Sequence, residues 1–408
     1  MAEIALPPIQ KKFYMSEIEY NAVSERNRII AHKYIDSLSN GTRKLSASTI
    51  TYNSRIMGFA LRNVKSDFNS LTVEDIDDFI YAVSNWVREK DGKPVADSTK
   101  KQYYIGFKRF LYWYGKRYKD KKADYRDLAE LIEVSGKAEP KSVDDLLTDA
   151  EIKQMLLATE QFRDSHRNKA LIAVLAESGC RIGELVGCNI KDLVEINRDM
   201  YRLTLPDGKT GTRTIILCSS KPYIKEYLRH GHPSPENPES PLWVAKLRGK
   251  FSQMRYFTIY TVIRKAAKAA GINKRVHPHL FRHTAATRLI SSGLSAPRVK
   301  NILGWAPNSV MTSVYVHLDD TDKIAASEEL NGIVDKKVNA KGLEVGKCPN
   351  CWETVPATSI YCFNCGCGLT EATKQVDNTI IEALTTYFAQ NPDMQDSLMK
   401  NILNLAQK

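Results

Sequence analysis

Tyr201 to Leu217 reads YRLTLPDGKTGTRTIIL, two β-branched runs on either side of a Gly-containing turn, the pattern of a β-hairpin. From about Thr148 onward the flanking sequence repeats its apolar residues at helical spacing, so this hairpin is a small sheet set into a helical domain. The expected fold class is therefore mainly α with a small β-sheet (α+β). A chain of 408 residues with 43% hydrophobic content has enough apolar surface for two or three packed domains.

Residues 1–20, with Pro7, Pro8 and the pair Lys11 and Lys12, show little periodicity and read as an arm. A helical domain is expected over 21–136. One helix runs from about Ser48 to Val64, a second opens at a Thr72 cap with acidic residues in its first turn, and a third starts near Ser98. The third carries Tyr103, Phe107, Phe110 and Tyr114 as an apolar stripe among Lys100, Lys101, Lys108, Arg109, Lys116 and Arg117. Such a helix is either a core helix with a solvated basic face or one laid against a polyanion. Gly136, Pro140 and alternating charges mark a linker at 137–146, followed by a second domain over 147–335.

The net charge of +12 favours a polyanionic partner, because cations that neutralise phosphates release condensed counterions. No run of about 18 apolar residues and no secretory signal is present, so the sequence predicts a cytoplasmic protein with no membrane partner.

Polar groups with chemical potential gather at the ends of elements in the second domain. Arg181 opens the helix RIGELVG, an end already positive through the helix dipole, and Glu184 lies one turn on. By themselves these two make a surface ion pair, unless an anion arrives there. Lys209 sits in the hairpin turn, alone an ordinary turn lysine. His279 and Arg282 share one side of a helix start, Ser295 caps a short helix ending at Leu303 and Gly304, Trp305 follows, and Tyr315 comes ten residues later.

In order and in context, this set resembles the tyrosine recombinase (phage integrase) family. The family pattern of Arg, hairpin Lys, His-x-x-Arg, His or Trp, and Tyr is similar to Arg181, Lys209, His279 with Arg282, Trp305 and Tyr315. The surroundings ESGCRIGELVGC, PHLFRHTAATRLI and LGWAPNSVMTSVYVH match too, and SLTVEDIDDFI and STKKQYYIGFKRFLYWY resemble the family's helical core-binding domain. Trp305 stands where His is commoner, and its indole N–H also donates.

The resemblance implies site-specific cutting and rejoining of double-stranded DNA through a 3′-phosphotyrosyl link, with Tyr315 as nucleophile and no cofactor for catalysis. Arg181 and Arg282 would hold the phosphate, with Glu184 orienting Arg181. Lys209 would protonate the leaving 5′ oxygen, and His279 would accept the tyrosine proton or hold the phosphate. Trp305 would donate to the phosphate. It also implies self-association into a tetramer on two DNA sites. A topoisomerase, a hairpin-end resolvase, or a non-catalytic architectural DNA-binding protein are the competing readings.

Cys348 and Cys351 form one Cys-x2-Cys pair, and Cys362 and Cys365 another. Four thiolates at this spacing suit a structural zinc in a ribbon over 346–369, with Cys367 a competing ligand. A helical tail is expected over 372–408, through Ile380, Leu384, Phe388, Leu398, Ile402 and Leu405, packed on the ribbon or on another copy.

Overall fold

The computed structural model describes residues 13–40, 45–118, 124–134, 145–208, 211–247, 249–309 and 343–391, with Ser327, Asn331 and Met394. Lys209, Tyr315, most of the 137–146 linker and the tail beyond Met394 lie outside the described residues. Two compact units divide the chain at 138/139, and among the described residues the architecture is helical with three small sheets.

The first unit is built from α1 (Glu17–Ala22), α2 (Glu25–Asn40), α3 (Ala47–Asn63), α4 (Val73–Ser84), α5 (Asp97–Arg117) and α6 (Tyr125–Glu130). Its core is largely aromatic. Phe59, Phe79, Phe107 and Phe110 pack through ring contacts with centroids 4.1 to 5.9 Å apart. The α5 stripe of Tyr103, Phe107, Phe110 and Tyr114 is buried as its spacing requires. Gly106 lets α5 approach α3 closely, since a Cβ there would lie 2.3 Å from Ile56 Cδ1.

The arm reading of 1–20 needs correcting from residue 13 onward. Phe13, Met15 and Tyr20 are core residues, and Ser16 opens α1 with a reciprocal cap to Glu19. Helix α2 escaped the sequence reading because polar Asn27 and His32 also face inward. Asn27 accepts from the Phe68 N–H and donates to the Ser66 carbonyl, while His32 bonds Tyr20.

The second unit centres on α8 (Ser165–Ser178), buried almost all round. Against it pack α7 (Asp149–Ala158), α10 (Lys221–His230), α11 (Tyr256–Ala269) and α12 (Pro278–Ser291). Leu146, placed in the linker from sequence, belongs to this core. The hairpin is β2 (Met200–Gly208) and β3 (Gly211–Leu217), joined on its outer side by β1 (Leu193–Asn197) to make a three-stranded antiparallel sheet. A second pair, β4 (Val244–Leu247) and β5 (Lys250–Gln253), was not legible, because its exposed strand carries no alternation. Glu177 at the end of α8 accepts the backbone N–H groups of Cys218, Ser219 and Ser220, fixing the exit of β3 into α10.

Past the core of the second unit, β6 (Val345–Lys347) and β7 (Thr354–Pro356) form a small hairpin. It docks on α10: Lys225 pairs with Glu353, Arg229 donates to the Asn364 side-chain oxygen, and His230 Nε2 bonds the Phe363 carbonyl. Helix α14 (Glu371–Gln390) follows, capped by Thr370 and with no buried residue. Among the described residues, no helix is long and apolar enough to cross a membrane.

Candidate active site

Helix α8 ends at Gly179, in the left-handed region with φ +58°. A Cβ there would lie 2.8 Å from Ala285 Cβ and 3.2 Å from Leu303 Cδ2, so only glycine lets the end of α8 pack between α12 and α13 (Ala296–Leu303). The chain then turns through Cys180 into Arg181, which caps the short helix α9 (Ile182–Val186). This turn brings two parts of the chain about a hundred residues apart to one place, since Arg282 Nη1 donates to the Gly179 carbonyl at 3.0 Å. Arg282 Nη2 donates to the Leu303 carbonyl at 2.6 Å. Two of the five N–H donors of this side chain are thus spent on backbone carbonyls.

Glu184 is 2% exposed. Its Oε2 accepts the Arg181 N–H at 3.0 Å and its Oε1 the Arg181 Nη1 at 2.6 Å. A residue not read from the sequence joins them: Arg213 of β3 donates Nη2 to Glu184 Oε2 at 2.9 Å and Nη1 to the Ile302 carbonyl at 2.9 Å. Burial alone would raise the Glu184 pKa. Hydrogen bonding from Arg213 first, then from Arg181, holds it below the ordinary carboxylate range. Arg282 is pushed down to about 10, by burial first and then by the like charges of Arg181 and Arg213.

Two guanidiniums thus bond one carboxylate and a third, Arg282, lies close enough to feel their charge, so the cluster holds an excess of two positive charges at neutral pH. Trp305 follows the left-handed Gly304 that ends α13, with its ring centroid 5.6 Å from Arg282 Cζ. His279 is exposed on the first turn of α12. Lys209 falls in sequence between Gly208 of β2 and Gly211 of β3 and, like Tyr315, is outside the described residues.

Of the basic residues on α5, Lys100 donates to the Ser84 carbonyl at 2.7 Å, and Lys108 pairs with Glu130 at 3.0 Å. Lys101 is half-buried, and Arg109, Lys116 and Arg117 are exposed. A second basic surface lies on α11, an open groove of about 510 Å³ lined by Phe257, Tyr260, Arg264, Lys265, Lys268 and Lys274. The three- and four-residue spacing from Phe257 to Lys268 was the available signal for it.

The sulfurs of Cys348, Cys351, Cys362 and Cys365 all lie within 4.8 Å of one another. Cys348 and Cys365 are 3.5 Å apart, and Cys351 and Cys362 3.7 Å. A tetrahedral zinc with Zn–S bonds of about 2.3 Å needs sulfurs roughly 3.8 Å apart, so the set fits. The Asn364 N–H and side-chain amide donate to Cys362 and Cys351, bonds that favour thiolates. Cys367 is not in the group, and its thiol bonds the Gly368 carbonyl.

Residues 145–322 match the phage integrase family. The tyrosine recombinase of Thermosipho africanus is 24% identical over 308 residues, covering 74% of this chain and 99% of that protein. The tyrosine recombinase of Pseudothermotoga lettingae is 28% identical over 188 residues, covering 46% of this chain and 61% of that protein, so this match spans less than two thirds of the relative. Among solved structures, the Tn1549 transposon integrase in complex with transposon right end DNA gives a TM-score of 0.57 at 18% identity, covering 75% of this chain and 99% of that one, a likeness of fold.

Proposed function

This chain belongs to the tyrosine recombinase family, and on that premise we propose that it cuts and rejoins double-stranded DNA at a specific site through a covalent link to Tyr315. The observation that carries the reading is the convergence of Arg181 and Arg282 on the end of α8, with Glu184 and Arg213 behind them. A phosphodiester carries one negative charge and gains a second on its non-bridging oxygens as a nucleophile adds. Two excess positive charges from planar, fork-like donors match that state, and they act where little water can screen them.

In the proposed step the Tyr315 oxygen attacks phosphorus, the tyrosine proton passes to His279, and an O–P bond forms as the bond to the 5′ oxygen breaks. Lys209 gives that oxygen a proton. Trp305, beside Arg282, donates its indole N–H to a phosphate oxygen. The phosphoester energy is retained in the tyrosyl link, so a 5′ hydroxyl of another strand reverses the step without a nucleotide cofactor.

The exposed cations Arg109, Lys116 and Arg117, with Lys100, Lys101 and Lys108 beside them and the α11 groove on the other unit, supply contacts to the DNA backbone. Exchange between two sites calls for four copies on two duplexes, and the proposed location is the cytoplasm. The four cysteines would hold a zinc that stiffens the ribbon, and with four protein ligands it has no open position for substrate.

The test is incubation with a library of nicked duplexes, then denaturing gels and mass analysis of any protein joined to DNA. A covalent adduct mapping to Tyr315, formed in EDTA and lost in Tyr315→Phe while duplex binding stays within about threefold, is expected. Equal loss of binding and adduct would mean that Tyr315 is structural. A duplex-binding protein with no adduct on any library member would return the architectural reading.

A further inference from the structure

We propose that Arg213 is a positioning residue of the strand-cutting site, set to offset the charge of Glu184 so that Arg181 and Arg282 meet a phosphate with their own charge undiminished. The inference rests on the cutting reading for its consequence, though not for its geometry.

Glu184 is needed for shape. It holds Arg181 by both its backbone N–H and its guanidinium. A buried carboxylate alone would neutralise one of the two phosphate-facing cations, and Arg213 removes that penalty by bonding the same Oε2 at 2.9 Å. Its other arm reaches the Ile302 carbonyl in the last turn of α13. One side chain therefore joins three elements: β3, which follows Lys209 in the chain; α9, which carries Glu184; and the helix end that leads to Trp305.

The packing around Arg213 leaves it little freedom. Its side chain is 12% exposed, and a Cβ on Gly304 would lie 2.5 Å from both its Cδ and its Nε, so glycine at the end of α13 makes room for it. Its Nε is buried and, among the described residues, has no hydrogen-bond partner. A buried N–H without a partner is uncommon in a well-packed protein. It fits an arginine whose position is dictated by its two terminal nitrogens.

Arg213→Gln lowers the excess charge of the cluster from two to one, and Glu184→Gln added to it returns the excess to two. A double-substitution cycle reads this with two probes on the full chain. One is the single-turnover rate of covalent adduct formation on the selected nicked duplex, and the other is the rise in melting temperature caused by orthovanadate, a small anion that mimics five-coordinate phosphorus.

Arg213→Gln is expected to slow adduct formation about 100-fold, the scale of losing one preorganised electrostatic contact, and to abolish the orthovanadate shift. The double variant is expected to recover at least about tenfold of the rate, since removing the uncompensated carboxylate restores the charge, and to regain the shift. With Glu184→Gln alone as the reference for any lost placement of Arg181, a double variant whose adduct rate falls by the product of the two single losses overturns the assignment, because a purely structural arginine is not rescued by neutralising its partner.

Arg213→Lys keeps the charge without the fork. It is expected to hold the orthovanadate shift, and a natively melting Lys variant without it also overturns the proposal. If the wild type forms no adduct on any duplex while the orthovanadate pattern follows the charges, the cutting reading fails and the assignment of Arg213 stands.

Discussion

Arg282 and Leu303 are joined by a 2.6 Å bond from a guanidinium nitrogen to the carbonyl that closes α13, so the site arginine is also a strut between α12 and its neighbour. Together with its bond to Gly179, it satisfies two backbone carbonyls in the interior. Arg282→Ala leaves both without that donor, at about 1–3 kcal/mol for each buried group. The expected result is a loss of roughly 2–6 kcal/mol in urea unfolding together with loss of adduct formation. Full stability with lost activity would mean that the two carbonyls find other donors.

Gly179→Ala tests the turn itself. The left-handed φ and the 2.8 Å approach to Ala285 Cβ both oppose a side chain. Left-handed backbone costs about 1–2 kcal/mol, and overpacking adds about 1–3 kcal/mol. A loss of roughly 2–5 kcal/mol of unfolding free energy is expected, read as a lower denaturant midpoint, and an unchanged midpoint would show that α12 and α13 can move apart freely.

The charge state of Glu184 makes a pH prediction. Its folded pKa lies below the ordinary value, so its contribution to stability is complete above the unfolded carboxylate pKa of about 4.3 and is lost as pH falls from there through the lower folded value. Glu184→Gln should therefore be less stable than the wild type at neutral pH and should lose less on acidification. Melting curves from pH 7 to pH 3 that stay parallel for the two proteins would contradict this.

The ribbon makes a prediction separable from cutting. Native mass measurement should find one zinc per chain, and replacement of Cys348 by Ser should remove it. Losing the metal should free the Lys225–Glu353 and Arg229–Asn364 contacts and expose the ribbon to trypsin, while the charge cluster around Glu184 is untouched. A chain that carries no metal and resists trypsin in this region would count against a zinc-held ribbon.

Legibility followed how local each signal is. The β2–β3 hairpin, the α5 stripe and the Arg181–Glu184 turn declare themselves within a few residues. Arg213 does not, because a strand arginine has no neighbour in sequence that reveals a carboxylate 29 positions earlier. In sequence Gly179 is only one residue of ESGCRIGELVGC. The need for glycine comes from Ala285 and Leu303, more than a hundred residues on. Helix α2 and Phe13 were missed for a related reason: inward-facing polar groups satisfied by distant partners blur the periodicity on which a sequence reading depends.

The dock of the ribbon on α10 has a consequence for how the second unit unfolds. Lys225, Arg229 and His230 are spent on Glu353, Asn364 and Phe363, and Leu343 packs on the same core just before the ribbon. The ribbon is thus fastened both at its entry and along one side. A metal held by its four cysteines would therefore steady α10 as well, because a ligand that binds only the folded form shifts the whole cooperative unit toward it.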